Sequence, residues 1–431
     1  MANLRVGTGI TFDGATGNFN TLGIGTVRGD FNATGAINAT GAINATGAIN
    51  ATSGLNVGTA ATIHANGNVT CGIITTTSIV NSEPLSHRNK VINGGMIISQ
   101  RNGTSSVQLS ATEVYTVDRF KSDQGSSFNI TADASQVTDH PIGFSNALKI
   151  QCDATNTPTG GHNGGVSTFL EGLDVQDFGF GSSGAQPITV SFYAKSASAN
   201  SGQTFGFMLG YQGVSGGRTK QTRSFTVTDT WQRFEFTFEP NGASQTDGIV
   251  NTTAYGLQLF WSLAVGSDDA LSEITTWTAA SALVGVSGQS NLFDTVSNQF
   301  FLTGVQCEVG RVATPFEHRS FHDEKQRCYR YCYVISDAAI GMGAQKASDQ
   351  IIGSIRYPVP MRATPTATTD SLALRIDSGA HLVTSSSGTF SLSEAGPVST
   401  GYKMSGYTSL SSGSAFFVKE NAGSIILSAD I

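Results

Sequence analysis

The chain has 431 residues, 39% of them apolar and 13% charged, with a net charge of −7. With 25 Phe there is material for about two to four packed domains rather than a disordered polymer. Nothing basic is clustered enough for a nucleic-acid surface. No apolar run approaches the roughly 20 residues of a membrane helix. Five scattered Cys, at positions 71, 152, 307, 328 and 332, make no disulfide framework and fit assembly in a reducing cytoplasm.

Residues 1–86 are rich in Gly, Thr, Asn and Ile, and GAINAT stands three times without a change between Gly35 and Thr52. Ile37, Ile43, Ile49 and Leu55 share odd positions with Gly and Ala, while Asn and Thr fill the even ones. A strict period of two belongs to extended chain, and a fixed short repeat to a solenoid or fibre. One Ile and one Ala per hexad contribute about 2–3 kcal/mol. Ordering each backbone residue costs about 1–2 kcal/mol, so one strand cannot hold itself. Three chains wound about one axis, with those four residues inside, are favoured over a single-chain β-helix, since about five hexads make fewer than two coils. The NAT triplets match a glycosylation acceptor, but MANLRVGTGITF shows no basic n-region or apolar h-region, and Asn/Thr alternation on a wet face explains them. Arg28-Gly29-Asp30 reads as a hexad junction rather than an adhesion signal.

Residues 87–334 carry aromatics in alternating runs: 128–132, 147–152, 188–195, 205–211, 225–230, 233–238, 257–263 and 300–309. Ile188, Val190, Phe192 and Ala194 share a face, as do Phe234, Phe236 and Phe238. Short strands parted by Gly, Ser and Asn predict an antiparallel β-sandwich of jelly-roll type. Helical periodicity is confined to 321–334, long enough for a turn or two. Residues 335–431, rich in Ser, Thr and Gly, predict a smaller β domain with strands near 351–357, 372–376 and 414–419. The fold class is therefore all-β throughout: stalk, sandwich and terminal β domain.

Asn89-Lys-Val-Ile-Asn-Gly-Gly-Met96 with Gln100-Arg-Asn-Gly-Thr-Ser105, then Tyr115-Thr-Val-Asp-Arg-Phe120, resemble the opening blocks of a domain found in phage tail fibres. Gly304-Val-Gln-Cys-Glu-Val-Gly310 and Ala313-Thr-Pro-Phe-Glu-His-Arg319 resemble its closing blocks, with Cys307 in place of the usual Leu. Cys328-Tyr-Arg-Tyr-Cys332 and Pro360-Met-Arg-Ala-Thr-Pro365 are similar to blocks that follow, and Gly67–Ser78 resembles β-repeats of phages infecting marine cyanobacteria. The resemblance covers about residues 89–366 and implies a virion protein, usually trimeric, with jelly-roll domains like carbohydrate-binding modules. It names no ligand and no binding residue.

Motifs for chemistry are weaker. Gly179-Phe-Gly-Ser-Ser-Gly184 matches G-x-G-x-x-G but precedes a strand, so a surface turn is favoured over a dinucleotide site. His318, His322, Cys328 and Cys332 have spacing worth weighing for zinc, yet a five-residue gap leaves little chain to bring the pairs together, and no metal is expected. Carboxylates at Glu171, Asp174 and Asp177, and at Asp268, Asp269 and Glu273, raise glycoside hydrolysis, which needs two of them about 5–9.5 Å apart. Acidic loop residues are more often solvated or bound to Ca²⁺. Trp231 and Trp261 sit in strand-like alternation, as core residues do. Trp277, in a loop-like stretch, and Tyr402 and Tyr407, in GYKMSGY, are the candidates for stacking on sugar rings.

The expectation is thus a non-enzymatic trimeric tail fibre, without cofactor, assembled in the host cytoplasm and located in the virion tail. Its N-terminal region would join other tail or baseplate proteins, and its β domains would bind a host cell-surface glycan, without nucleic acid or membrane insertion. Three weak sites acting together would gain about 10²–10⁴ in avidity. The rival readings are a polysaccharide-degrading tailspike enzyme and a purely architectural fibre or adaptor.

Overall fold

The computed structural model describes residues 10–13, 18–21, 55–57, 61–63 and 69–71. From 86 to 431 it describes all but 110–112, 126–127, 242–247, 280–283, 337–338, 378–381, 386–388 and 407–414. Two compact units result, Met1–Val80 and Asn81–Ile431. In the first, Ile10–Asp13 pairs antiparallel with Asn18–Thr21. Leu55–Val57, Ala61–Ile63 and Val69–Cys71 form an antiparallel meander. Its register sets Leu55 opposite Ile63 and Ile63 opposite Val69, so the period-two apolar positions pair with one another. The unbroken hexads, with Ile37, Ile43 and Ile49, lie outside the described residues, as does the side chain of Leu55.

In the second unit, two six-stranded antiparallel sheets pack face to face. One runs Thr278–Ala279, Arg218–Thr226, Thr204–Gln212, Tyr255–Val265, Asn163–Glu171, Phe120–Gly125. The other runs Gln232–Phe238, Ile188–Ser196, Gln299–Val309, Ala147–Ala154, Thr131–Val137, Val107–Leu109. Neighbours far apart in sequence are the crossings of a jelly-roll sandwich. Alternation does the folding. Ile188, Val190, Phe192 and Ala194 are all fully buried, as are Leu257, Leu259, Trp261 and Leu263 on the facing sheet. The Phe192 ring meets those of Phe207, Phe225, Phe234, Phe236 and Trp261 at centroid distances of 5.3–6.1 Å. Burying each such ring contributes about 1.5–3 kcal/mol. Trp231, read as core from its alternation, instead lies half-buried at the rim, with Nε1 donating to Asp139 at 3.1 Å.

The tail-fibre-like blocks meet in space. Asn89 Nδ2 donates to the Val305 carbonyl and its Oδ1 accepts from the Cys307 amide, both at 3.1 Å. Asn93, at φ 60, ties the Ile98 and Asp118 carbonyls through Nδ2 at 2.8 Å each. Gly94 lies against the Val305 carbonyl, leaving no room for a Cβ. The predicted helical turn is an α-helix, Phe321–Tyr329, capped by Ser320, whose hydroxyl accepts from the Asp323 amide at 3.1 Å.

Eight strands between Cys332 and Ser428 form one further sheet. Its order is Leu382–Ser385, Thr366–Asp377, Ala415–Ser428, Ala339–Ala347, Gln350–Arg356, Ser399–Ser405, Thr389–Ser393, with Cys332–Ile335 beside one end of Ala415–Ser428. It has its own core, built on Ile351, Ile355, Tyr402, Met404, Ile425 and Leu427. The chain end then returns to the sandwich. Asp430 pairs with Arg101 and Arg119, and the Ile431 carbonyl accepts from Tyr115 and Lys121 at 3.1 Å each. Residues 335–431, expected as a smaller β domain, fall within the compact unit Asn81–Ile431.

Candidate ligand-binding groove

The sequence candidates do not converge. Tyr402, expected at the surface, is fully buried: period-two alternation on Ser399–Ser405 points it inward, where its ring stacks on Phe390 at 5.8 Å. Burial raises its phenol to about 12. Tyr407 lies outside the described residues. Trp277 is half-buried against Phe180 and Tyr211, at 5.2 and 5.4 Å, and Nε1 donates to the Glu239 carbonyl at 2.7 Å. It closes one end of the core.

The carboxylates are dispersed too. Glu171 is 1% exposed and clamped by Arg330 at 2.6 and 2.7 Å and by the Tyr331 hydroxyl at 2.6 Å. Asp177 pairs with Lys90 at 2.7 Å. Burial, then the nearby Glu171 charge, raises the Asp174 carboxyl. Asp269 accepts from Asn163 at 2.7 Å, while Glu273 accepts from the Ser224 amide at 2.6 Å. Cys328 and Cys332 are buried, and His318 packs between the rings of Phe144 and Phe316. Among the described residues no three His, Cys, Asp or Glu side chains are placed to hold a metal ion. Gly179–Gly184 is a turn, with Gly179 and Gly181 at φ 63 and 83.

A cleft of about 220 Å³ lies between the opening and closing blocks. Its polar lining already serves the chain. Glu317 accepts from the Asn89 amide at 2.9 Å, and Arg319 donates to the Val91 carbonyl at 3.0 Å and to that of Asn89. This cleft is a seam.

A second hollow, about 210 Å³, lies on the outer face of the first sheet, opposite the core. Register explains it. Across the sheet Lys220 stands opposite Gly210, Gly210 opposite Gln258, and Gln258 opposite Phe169. Gly210 leaves a gap in this row of side chains. Phe260 and Met208 line the hollow, and Phe169 and Tyr255 stand edge to face at 5.2 Å. Lys121 lies 4.5 Å over the Phe169 ring and Arg218 5.5 Å over that of Tyr255.

Its polar groups hold one another in place. Gln258 Nε2 donates to Asp123 at 2.8 Å, and Lys121 pairs with Glu113 at 2.7 Å. Burial raises the Asp123 carboxyl, with the Ser167 hydroxyl opposing. Burial also raises the Tyr255 phenol, Arg218 opposing. Lys220, 3% exposed, is lowered to about 8 by burial and then by Arg218, with Asp269 opposing. Planar amide and carboxylate groups beside aromatic rings suit a ligand with several hydroxyls and apolar C–H faces. Sequence reading missed the groove because its residues come from five strands. The available signals were the unbroken polar run of residues 218–224 and the lone Gln258 within an apolar run.

No family model matches the chain, and no curated protein matches it either. Among solved structures it is similar to the enzymatically active domain of tailspike protein 4 of bacteriophage CBA120, with 13% identity, 52% of this chain and 21% of that chain covered, and a TM-score of 0.28. The chain spans about a fifth of that protein's length. It is also similar to a family 11 carbohydrate-binding module of Clostridium thermocellum, with 13% identity, 49% and 99% covered, and a TM-score of 0.26. A xylan-binding domain from Paenibacillus barcinonensis gives 12% identity, 49% and 99% covered, and a TM-score of 0.25. Scores this low assign neither ligand nor activity, and the sandwich reading rests on strand order.

Proposed function

We propose that this chain is a non-enzymatic component of a phage tail fibre and that it binds host-surface glycan in the groove over Gly210. The observation that carries the reading is the groove itself: two aromatic rings and an interlocked set of planar polar groups converge on a hollow sized for about one sugar ring. At about 210 Å³ it is below the roughly 300–1,000 Å³ of drug-sized sites, which suits a unit of a longer saccharide crossing the sheet. The tail-fibre part of the reading is supported by the block resemblance over about residues 89–366.

Mechanistically, the groove binds by stacking and hydrogen bonding. A pyranose lays its C–H face against Tyr255 or Phe169, and its hydroxyls bridge Gln258, Asp123 and Asn163. Those side chains are already fixed, so little rotamer entropy is lost on binding. In a trimer held by the hexad stalk, three weak sites act together. Calorimetric titration with purified surface polysaccharide fragments tests the proposal. Saturable binding weakened about five- to thirtyfold in Tyr255→Ala is the expected result; binding unchanged in that variant overturns the groove assignment. Shortening of the polysaccharide on incubation would establish the enzyme reading in its place.

A further inference from the structure

We infer that the groove selects 6-deoxy sugars, seating the C6 methyl over Gly210, an inference that rests on the glycan reading above. The lining divides into an apolar patch and a polar one. Met208 stands opposite Phe260 on the neighbouring strand, Gly210 follows two residues on along the same face, and Val284 joins them in the lining. The seat itself is small. A Cβ on Gly210 would already lie 3.0 Å from Met208 Sδ and 3.4 Å from Lys220 Cβ, so a ligand group placed there meets a thioether and a methylene. The Thr219 carbonyl, next at 3.6 Å, belongs to a residue paired with a strand on either side.

Main chains in the apolar patch are committed. Met208 pairs with Thr222 and Phe260, Gly210 with Lys220 and Gln258, and Phe260 with Met208 and Ser167. The Val284 amide donates to the Asp269 carbonyl at 3.2 Å. A C6 hydroxyl seated here would exchange water for sulfur and carbon, and a hydroxyl buried without a partner is costly. A methyl group forfeits no hydrogen bond and adds buried apolar area. The remaining hydroxyls of the ring face the polar patch, where Gln258 and Asp123 are locked together at 2.8 Å. An N-acetyl group also ends in a methyl, but its amide would bring a donor and an acceptor onto the apolar surface.

The test is calorimetric titration of the full chain with methyl glycosides in triples matched at every shared stereocentre. These are fucose, galactose and arabinose; rhamnose, mannose and lyxose; and quinovose, glucose and xylose, with N-acetylglucosamine and N-acetylgalactosamine beside them. At least one 6-deoxy sugar is expected to bind about tenfold or more tighter than its hexose. It should bind about fourfold or more tighter than the pentose that lacks C6. Gly210→Ala fills the seat and should bring the ratio of deoxy sugar to hexose to about one. Met208→Gln, of similar length, sets an amide beside the seat and should turn the ratio toward the hexose. A ratio unmoved by both variants, equal or tighter binding of the hexoses, or tighter binding of an N-acetyl sugar overturns the inference and leaves the glycan reading standing. Failure of every saccharide to bind overturns both.

Discussion

Lys220 shows what an exposed-looking polar run conceals. Its side chain is 3% exposed, and its ammonium is lowered from 10.5 to about 8. A folded-state value below the unfolded one means that the unfolded chain binds more protons between about 8 and 10.5, so this residue's contribution to stability rises with pH across that window. Lys220→Met is therefore expected to melt higher than wild type at pH 7, with the gap closing as pH approaches 10; a lower melting temperature at pH 7 contradicts this. Tyr255 is the complementary residue, because its half-buried ring meets Phe169 at one edge. Tyr255→Ala should cost about 1–2 kcal/mol of glycan affinity, roughly five- to thirtyfold, with a small change in melting. Glu171 contributes to fold instead. With both oxygens held by Arg330 and Tyr331, Glu171→Gln should lose about 2 kcal/mol of stability, less than a fully buried pair because Arg330 is 34% exposed. Denaturant unfolding measures it.

Among elements, Thr204–Gln212 both builds the core and shapes the groove. Phe205, Phe207, Leu209 and Tyr211 face inward and are fully buried, while Met208 and Gly210 face the hollow. A Cβ at Gly210 would sit 3.0 Å from Met208 Sδ and 3.4 Å from Lys220 Cβ, contacts a flexible thioether can relieve. Gly210→Val is thus expected to fold, to fill the hollow and to abolish titratable saccharide binding; retained binding excludes the hollow as the site. Ser399–Ser405 behaves oppositely. Tyr402 lies across Gly353 and stacks on Phe390, so Tyr402→Ala should cost about 3–5 kcal/mol through a cavity. It should lower the melting temperature of the terminal sheet rather than change glycan contact directly.

For the whole molecule, the stalk and the globular unit divide the work in the reading proposed here. A chain lacking residues 1–86 is expected to keep its single-site affinity for glycan and lose avidity for cells. Light scattering of the intact chain should give three times its monomer mass; a monomer with an intact stalk contradicts the trimer. Ile43→Asp should loosen the assembly, since three buried carboxylates on one axis cost several kcal/mol each before any pKa adjustment.

Several features were legible because they are local. Alternation in 188–195 and 257–263 marked two central strands to within two residues at each end, and the tail-fibre-like blocks marked segments that prove to hydrogen-bond to one another. Period two is a property of the backbone, so it survives whatever the chain packs against. Strands with polar inner or outer faces escaped: Asn163–Glu171 and the first half of Arg218–Thr226 carry Ser, Thr, Gln and Lys that burial alone distinguishes from surface. Tyr402 and Trp277 looked like binding residues because composition cannot say which face of a strand or loop meets a second layer. The groove depends on registers across five strands, and Lys220, Gly210, Gln258 and Phe169 become a row when sheet order places them side by side. Side-chain periodicity belongs to each strand alone; strand order is set by the long-range burial of the two sheets against each other, and that order decided where a ligand can sit.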